Sequence, residues 1–192
     1  MSTWAELGLS PWLASSCAEM GLKRPTPIQL ACIPPALAGR DVLGSAETGS
    51  GKTAAFALPI LQALSVDPFG VFAVVLSPAR ELSAQIADQF AALGSHMSVK
   101  VSVVVGGVDM MRQALELAQR PHIVIGTPGR LADHLRSSGT AMTMRHARFL
   151  VIDEADRLLE PVLSAGTKNC IQVGPAQVGP AQVCPAQVEV QF

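Results

Sequence analysis

Eight consecutive residues have the composition of a phosphate-binding loop: Ala46, Glu47, Thr48, Gly49, Ser50, Gly51, Lys52 and Thr53. Its glycines let backbone N–H groups curl around nucleotide phosphates, Lys52 supplies a positive charge for the β and γ oxygens, and the Thr53 hydroxyl suits Mg²⁺. The apolar run that follows predicts a helix, whose amino end adds attraction for phosphate. Ala46 stands where glycine is usual. On the loop alone, a Gly-Ser turn that precedes Lys-Thr by chance is the alternative.

A second candidate is a carboxylate cluster at the end of an apolar stretch. Phe149–Ile152 runs directly into Asp153 and Glu154, and Asp156 follows. Asp153 can hold Mg²⁺ directly or through water, while Glu154 can polarise a water that attacks a γ-phosphate. A solvated acidic turn is the alternative, and the apolar strand together with the phosphate loop argues against it.

A third candidate is Gln29, which lies at the start of a helix after the proline-stiffened stretch 21–28. A glutamine amide both donates and accepts, and this pair matches N6 and N7 of adenine. Taken alone, Gln29 is an ordinary solvated glutamine. With a phosphate loop downstream, the better hypothesis is that it recognises adenine.

Alternating strands and helices must position these residues. Ser10-Pro11 predicts the start of a short helix that stops at Gly21, and Pro34-Pro35 should interrupt the helix after Gln29. Short apolar strands are predicted over 41–45, 71–77, 101–105, 122–126 and 147–152, with helices after the phosphate loop, along Leu82, Ile86, Phe90 and Leu93, near 110–119 and near 130–137. This alternation predicts an α/β fold with a doubly wound parallel sheet, whose ligands bind beyond the carboxyl ends of the strands.

Composition sets further bounds on the chain. Its 192 residues suit one domain. The 14 basic and 15 acidic residues nearly cancel, so the net charge does not attract nucleic acid and any RNA contact must come from local groups. The dispersed cysteines Cys17, Cys32, Cys170 and Cys184 favour reduced thiols over a disulfide frame or a zinc site. Without a signal-like start or a long apolar run, we expect a soluble, unsecreted, intracellular protein with no membrane partner.

At this point the chain resembles the DEAD-box RNA helicases, whose four letters stand at 153–156. The resemblance covers about the first 160 residues. Gly21 to Gln29 resembles the family's Q motif, and Trp4 at the upstream aromatic position is a further expected nucleotide-binding residue. The phosphate loop is the family's form of motif I. The remaining matches are Pro78-Ala79-Arg80-Glu81-Leu82 for motif Ia, Gly106-Gly107 for the paired glycines and Thr127-Pro128-Gly129-Arg130 for motif Ib.

The resemblance implies a RecA-like domain that binds ATP and Mg²⁺ and couples hydrolysis to RNA strand separation. Gln29 would then recognise adenine, Lys52 and Thr53 would take phosphates and magnesium, and Asp153 and Glu154 would anchor the metal and activate water. Contacts to RNA phosphates would come from Ala79, Arg80, Gly106, Gly107, Thr127, Pro128, Gly129 and Arg130. In isolation, the glycines are equally well explained as turn residues and Arg80 as a solvated charge.

Within the family, the chain is most similar to a nucleolar member linked to ribosome biogenesis. This implies a nuclear, nucleolar location and a monomer. Three departures stand out: Ala79 replaces threonine, Leu22 replaces an adenine-stacking aromatic, and the family pattern stops after Glu160. We expect one phosphate contact to be lost and nucleotide affinity to be modest.

The predicted organisation is an N-terminal helix and Q-motif segment over 1–30, a RecA-like domain over 31–160 and a divergent tail over 161–192. The tail carries three proline-containing pentads from residue 174 and should be disordered or extended. One alternative is that the pentads form a binding repeat. Another is that the tail comes from an alternative exon or a wrong reading frame. The last five residues alternate between apolar and polar side chains, and they could form a strand that fills part of a gap expected in the sheet.

That gap is expected because the chain carries no Ser-Ala-Thr motif, whose strand lies centrally in the family's sheet. It also carries no second domain with an arginine finger. Three functions remain: an RNA helicase represented by an incomplete first domain, a nucleotide- or RNA-binding fragment without turnover, and a different P-loop ATPase. Gln29 and the ordered motifs argue against the third. We predict that this chain alone does not unwind RNA.

Overall fold

The computed structural model describes residues 3–136, 147–158, 160, 165–168 and 170. Its strands are β1 (Ala73–Leu76), β2 (Val101–Val104), β3 (Ile123–Gly126) and β4 (Phe149–Ile152). In this part of the chain they form one sheet in the order β2-β3-β1-β4, and every pairing is parallel. The predicted α/β fold with a doubly wound parallel sheet is confirmed.

Helices lie between the strands and before them. They are α1 (Pro11–Glu19), α2 (Pro27–Leu37), α3 (Lys52–Val66), α4 (Arg80–Leu93), α5 (Met110–Ala118), α6 (Pro128–Arg136) and α7 (Ala155–Leu158). Two short 3-10 turns add Ala5–Leu7 and Ser95–Met97. No helix in the described part of the chain is long and apolar enough to cross a membrane.

Both faces of the sheet are covered, which explains why the strands are apolar at consecutive positions. In β4, Phe149 and Val151 pack into one core cluster with residues of α3 and α4. Leu150 and Ile152 pack into a second cluster with residues of α6 and α7. A parallel strand buried on both faces needs apolar side chains at every position, and β4 shows this pattern.

The prediction that Pro34 and Pro35 interrupt the second helix was wrong, because α2 continues to Leu37. Proline removes the backbone donor that would bond the carbonyl four residues earlier, here the carbonyls of Leu30 and Ala31. Both of those residues are exposed, so water can bond the two carbonyls. The prolines also lie in the last turns of the helix, where few further bonds depend on them.

The predicted strand over 41–45 is absent; Leu43 forms only an isolated β-bridge. A strand needs a neighbour for its backbone groups, and β4 pairs only with β1 among the described residues. The side chain of Leu43 is accordingly 64% exposed. A groove of about 410 Å³ opens beside the start of β4, lined by Phe149 and by residues of α2 and α3. Such an edge position of β4 is expected if the strand that carries the Ser-Ala-Thr motif is missing beside it.

The predicted tail is only partly described. Residues 165–168 are helical, the Thr167 hydroxyl donates to the Leu158 carbonyl at 3.2 Å, and the buried Cys170 thiol donates to the Pro128 carbonyl at 3.5 Å. These residues therefore differ from the expected disorder, since they precede the first pentad proline and bury side chains on α6. The pentads and the last five residues lie outside the described residues. Cys17, Cys32 and Cys170 are free thiols, as predicted.

Candidate nucleotide and RNA site

The phosphate loop lies where the sequence predicts it, immediately before α3. Gly49 and Gly51 have φ values of 80° and 91°, in the left-handed region that favours glycine. Lys52 is the first residue of α3, and its Nζ donates to the Ala46 carbonyl at 2.8 Å. The lysine amine thus holds the two ends of the loop together.

The loop residues fit a nucleotide phosphate. Glu47 and Thr48 are exposed, while the Ser50 hydroxyl is buried and has no hydrogen-bond partner among the described residues. Thr53 lies half-buried in the first turn of α3, where backbone N–H groups lack helical partners. A buried hydroxyl without a partner, a lysine and a helix amino end suit an anion.

Gln29 lies against this loop, although the two are far apart in sequence. Its side chain is 1% exposed on α2. The amide Oε1 accepts from the Thr26 N–H at 2.8 Å, and Nε2 donates to the Gly51 carbonyl at 3.0 Å. The adenine-recognising candidate therefore joins the Q-motif segment to the phosphate loop, and its contact with adenine stays a prediction.

Trp4 supports the same segment from the core. The ring is 6% exposed, and its Nε1–H donates to the Leu22 carbonyl at 2.9 Å. Leu22 is the position where the family places an aromatic. Trp4 therefore orients the backbone at that position, and a direct contact of Trp4 with a nucleotide stays a prediction.

The carboxylate cluster begins where β4 ends. The Asp153 N–H donates to the Leu76 carbonyl at 2.9 Å, which continues the pairing between β4 and β1, and its side chain is 8% exposed. Burial and the Glu154 charge raise the pKa of Asp153 to about 6, while Lys52 acts in the opposite direction. Burial lowers the pKa of Lys52, and the Asp153 charge raises it. Lys52 and Asp153, distant in sequence, thus influence each other's charge state.

Glu154 adopts a constrained geometry at the turn after Asp153. Its φ is 51°, which is uncommon for a residue with a side chain. Its Oε2 accepts from Arg157 Nη1 at 2.9 Å. This bond orients the carboxylate that we predicted to activate water. No group of three or more His, Cys, Asp or Glu side chains that could hold a metal occurs within the described ranges. Mg²⁺ would therefore need phosphate and water ligands in addition to Asp153 and Thr53.

The predicted RNA residues meet at the same edge of the sheet. Ala79 is extended and precedes α4, but as an alanine it provides no side-chain cap. Arg80 starts α4 and lies against Gly106 and Gly107 in the loop after β2. The structure thus brings together motif Ia, which follows β1, and the paired glycines, which follow β2.

Motif Ib packs against the other side of the glycine loop. The Thr127 N–H donates to the Val104 carbonyl at 3.1 Å, and Pro128 and Gly129 begin α6. Arg130 Nη1 donates to the Val108 carbonyl at 3.0 Å. Arg130 therefore holds the loop that contains the paired glycines, in addition to any contact with RNA.

Sequence reasoning missed two buried polar residues that support this loop. Gln113 Nε2 donates to the Val105 carbonyl at 2.9 Å, while its Oε1 lies 3.5 Å from Arg130 Nη1 and 3.1 Å from His134 Nε2. The available signal was a glutamine on the same face of α5 as the buried Leu117. A polar residue on a core-facing stripe must find buried partners, and these cannot be identified from spacing.

The family model described as DEAD/DEAH box helicase matches residues 26–179. The human probable ATP-dependent RNA helicase DDX49 is 63% identical over 160 residues, which cover 83% of this chain and 33% of that protein. The ATP-dependent RNA helicase DBP8 of Debaryomyces hansenii is 52% identical over 176 residues, covering 91% of this chain and 40% of that protein.

Two crystal structures resemble the fold. A DEAD box protein from the hyperthermophile Methanococcus jannaschii has a TM-score of 0.83 and 32% identity, over 90% of this chain and 47% of that one. The RNA helicase Prp28 from Chaetomium thermophilum, bound to ADP, has a TM-score of 0.79 and 33% identity, over 95% of this chain and 44% of that one. The chain spans 33–40% of the length of the two curated relatives. With this match and the phosphate loop, Gln29 and carboxylate cluster at one edge of a RecA-like sheet, the chain belongs to the DEAD/DEAH box helicase family.

Proposed function

We propose that this chain is the ATP-binding part of an ATP-dependent RNA helicase, with ATP and Mg²⁺ at the phosphate loop and RNA phosphates at the Arg80 side. The observation that carries the proposal is the arrangement of the loop: Lys52 bonds the Ala46 carbonyl, Gln29 bonds the Gly51 carbonyl, and the buried Asp153 follows β4. A phosphate-binding lysine and a buried carboxylate at one sheet edge suit a nucleotide held together with a divalent cation. The relatives are named as ATP-dependent RNA helicases, which supports the same activity.

Each residue then has a distinct task. Lys52 would leave the Ala46 carbonyl to contact the β and γ oxygens, and Gln29 would have to release its bond to the Gly51 carbonyl to contact adenine. Thr53 and Asp153 hold Mg²⁺, which supplies positive charge to the phosphates. Glu154, oriented by Arg157, positions and deprotonates the attacking water.

For RNA, we propose backbone recognition without base specificity. The groups at the sheet edge are arginines, glycine backbone and the Thr127 hydroxyl, all of which suit phosphate oxygens. The chain has nearly balanced charge, so attraction to RNA has to be local. We infer a nuclear, nucleolar location and a role in ribosome biogenesis from the family resemblance. Microscopy of a fluorescently tagged chain tests that location.

A second candidate function is binding without turnover. Two observations favour it for the 192-residue chain: it has no Ser-Ala-Thr sequence, and β4 lies at the sheet edge in the described residues. We propose that strand separation belongs to the complete protein, and that this chain binds nucleotide and RNA weakly.

Steady-state ATP hydrolysis by the 192-residue chain tests both candidates. It is measured with and without single-stranded RNA, beside Lys52→Ala and a matched surface control, Lys100→Ala. Fluorescent-nucleotide binding is measured on the same samples. RNA-stimulated turnover that disappears only in Lys52→Ala would support the helicase activity and contradict the inactive-fragment candidate. Nucleotide binding that is lost in Lys52→Ala, without turnover, would support the second candidate. Binding unaffected by Lys52→Ala would contradict both.

A further inference from the structure

The guanidinium group of Arg80 lies directly on the turn formed by Gly106 and Gly107. A Cβ placed on Gly107 would overlap Arg80 Nη1 and would lie 3.0 Å from Cζ. A Cβ placed on Gly106 would lie 3.5 Å from Nη2, an ordinary contact distance. Gly107 also has a φ of 82°. Only the second glycine of the pair is therefore required for Arg80 to occupy this position.

The Arg80 side chain is exposed and makes no hydrogen bond or ion pair with any residue that the structure describes. Its donors thus remain available to a ligand. Arg130 differs, because its Nη1 donates to the Val108 carbonyl. A guanidinium presents several donors in one plane, a geometry that matches phosphate oxygens.

The glycine turn is held on both sides, so it cannot easily move away from Arg80. Gln113 Nε2 donates to the Val105 carbonyl before the pair, and Arg130 Nη1 donates to the Val108 carbonyl after it. Because Gln113 is buried, its bond to Val105 is shielded from water. A side chain at residue 107 would therefore displace the guanidinium more readily than the backbone.

We propose that Gly107 is a positioning residue for RNA: its missing Cβ leaves room for Arg80, whose guanidinium contacts one phosphodiester group of a single-stranded RNA. This inference rests on the proposed RNA-binding function. It assigns the effect of Gly107 to Arg80 instead of to a backbone contact between Gly107 and RNA. The loss caused by altering Gly107 should then depend on the presence of Arg80.

The test is a double-mutant cycle on the full 192-residue chain, read by fluorescence anisotropy with a labelled oligouridine at several salt concentrations. The variants are Arg80→Ala, Gly107→Ala and the double variant. Gly70→Ala is the backbone control, because Gly70 also has a positive φ with open space around it. Arg80→Ala should weaken binding roughly tenfold and lower the salt slope by about one.

Gly107→Ala should reproduce both the loss of affinity and the loss of salt slope, and the double variant should bind like Arg80→Ala. The Gly70→Ala control should bind like the wild type. Thermal unfolding checks that the variants are folded: Gly107→Ala and the double variant should melt at similar temperatures, because the exposed guanidinium moves aside at little cost.

Two results would overturn the inference: an unchanged salt slope in Gly107→Ala, or a further equal loss when Gly107→Ala is added to Arg80→Ala. A wild-type chain that binds RNA while Arg80→Ala binds equally well would also overturn it, without contradicting RNA binding itself. A wild-type chain that binds no RNA would overturn the proposed RNA-binding function together with this inference.

Discussion

The side-chain amide of Gln29 donates to the Gly51 carbonyl at 3.0 Å, joining two segments that are 22 residues apart. The same amide accepts the Thr26 N–H at 2.8 Å. A buried amide with both ends bonded fixes the relative position of α2 and the phosphate loop. The adenine side and the phosphate side of the proposed nucleotide site are thus mechanically connected through one side chain.

Gln29→Glu should lower the free energy of unfolding by about 2–3 kcal/mol at neutral pH, because a carboxylate cannot donate to Gly51 and would be buried. Nucleotide affinity should fall with it. Denaturant unfolding and fluorescent-nucleotide titration measure the two effects. Gln85→Glu, at an exposed position of α4, is the matched control. Equal stability of the two variants would contradict the role of the Gly51 bond.

Alanine at Gly51 should be more harmful than alanine at Gly49. Both positions have positive φ, so both substitutions carry a backbone penalty of about 1–2 kcal/mol. Only a Cβ on Gly51 would overlap Gln29 Nε2, while Gly49 faces open space. Thermal unfolding of both variants, with and without nucleotide, measures the difference. If Gly49→Ala proved equally destabilised, the contact with Gln29 would not be the cause.

Trp4→Phe should lower the free energy of unfolding by about 1 kcal/mol, because it keeps a ring in the core but removes the donor to the Leu22 carbonyl. Trp4→Ala should lower it by about 3–5 kcal/mol through loss of the ring. Urea unfolding measures both, with Trp12→Phe on α1 as the control. An equal loss of unfolding free energy in Trp4→Phe and Trp12→Phe would contradict the stabilising role of the bond to the Leu22 carbonyl.

His134 should make stability fall as the pH drops below about 6.5, while Asp153, whose pKa is raised to about 6, acts in the opposite direction. Burial, with the Arg130 charge, lowers the pKa of this histidine, so the folded state favours the neutral ring. The unfolded chain then binds more protons below its ordinary pKa, and the stabilisation present above about pH 6.5 is lost as the pH falls toward the lowered folded-state pKa. Denaturant unfolding at about pH 8 and about pH 5.5 measures the loss.

His134→Gln should reduce that loss of stability between the two pH values. Burial and the Lys100 charge also lower the pKa of His122, which should contribute in the same direction. A His134→Gln/His122→Gln double variant should therefore show a smaller pH dependence than either single variant. An undiminished dependence in His134→Gln would show that the buried ring is not responsible.

Local chemistry was enough to predict the glycine-rich turn before α3 and the carboxylate cluster after β4. Glycine at positions 49 and 51 indicates a loop with left-handed backbone conformation. An apolar run that ends in Asp153 indicates a buried strand whose carboxyl end lies at the ligand-binding edge of the sheet. In contrast, local sequence did not predict that α2 continues through its two prolines, or that residues 41–45 form no strand. Whether a carbonyl faces water, or whether a strand has a neighbour, depends on parts of the chain far away in sequence.

The sequence by itself therefore determined the α/β alternation, the family and the positions of the candidate site residues, because backbone sterics and hydrophobic periodicity are local. Only the tertiary structure decided which groups these residues contact: Gln29 with Gly51, Arg80 over Gly107, Arg130 on the Val108 carbonyl. Such contacts join separate loops at one sheet edge. Their partners are set by packing and strand order, which no short-range pattern encodes.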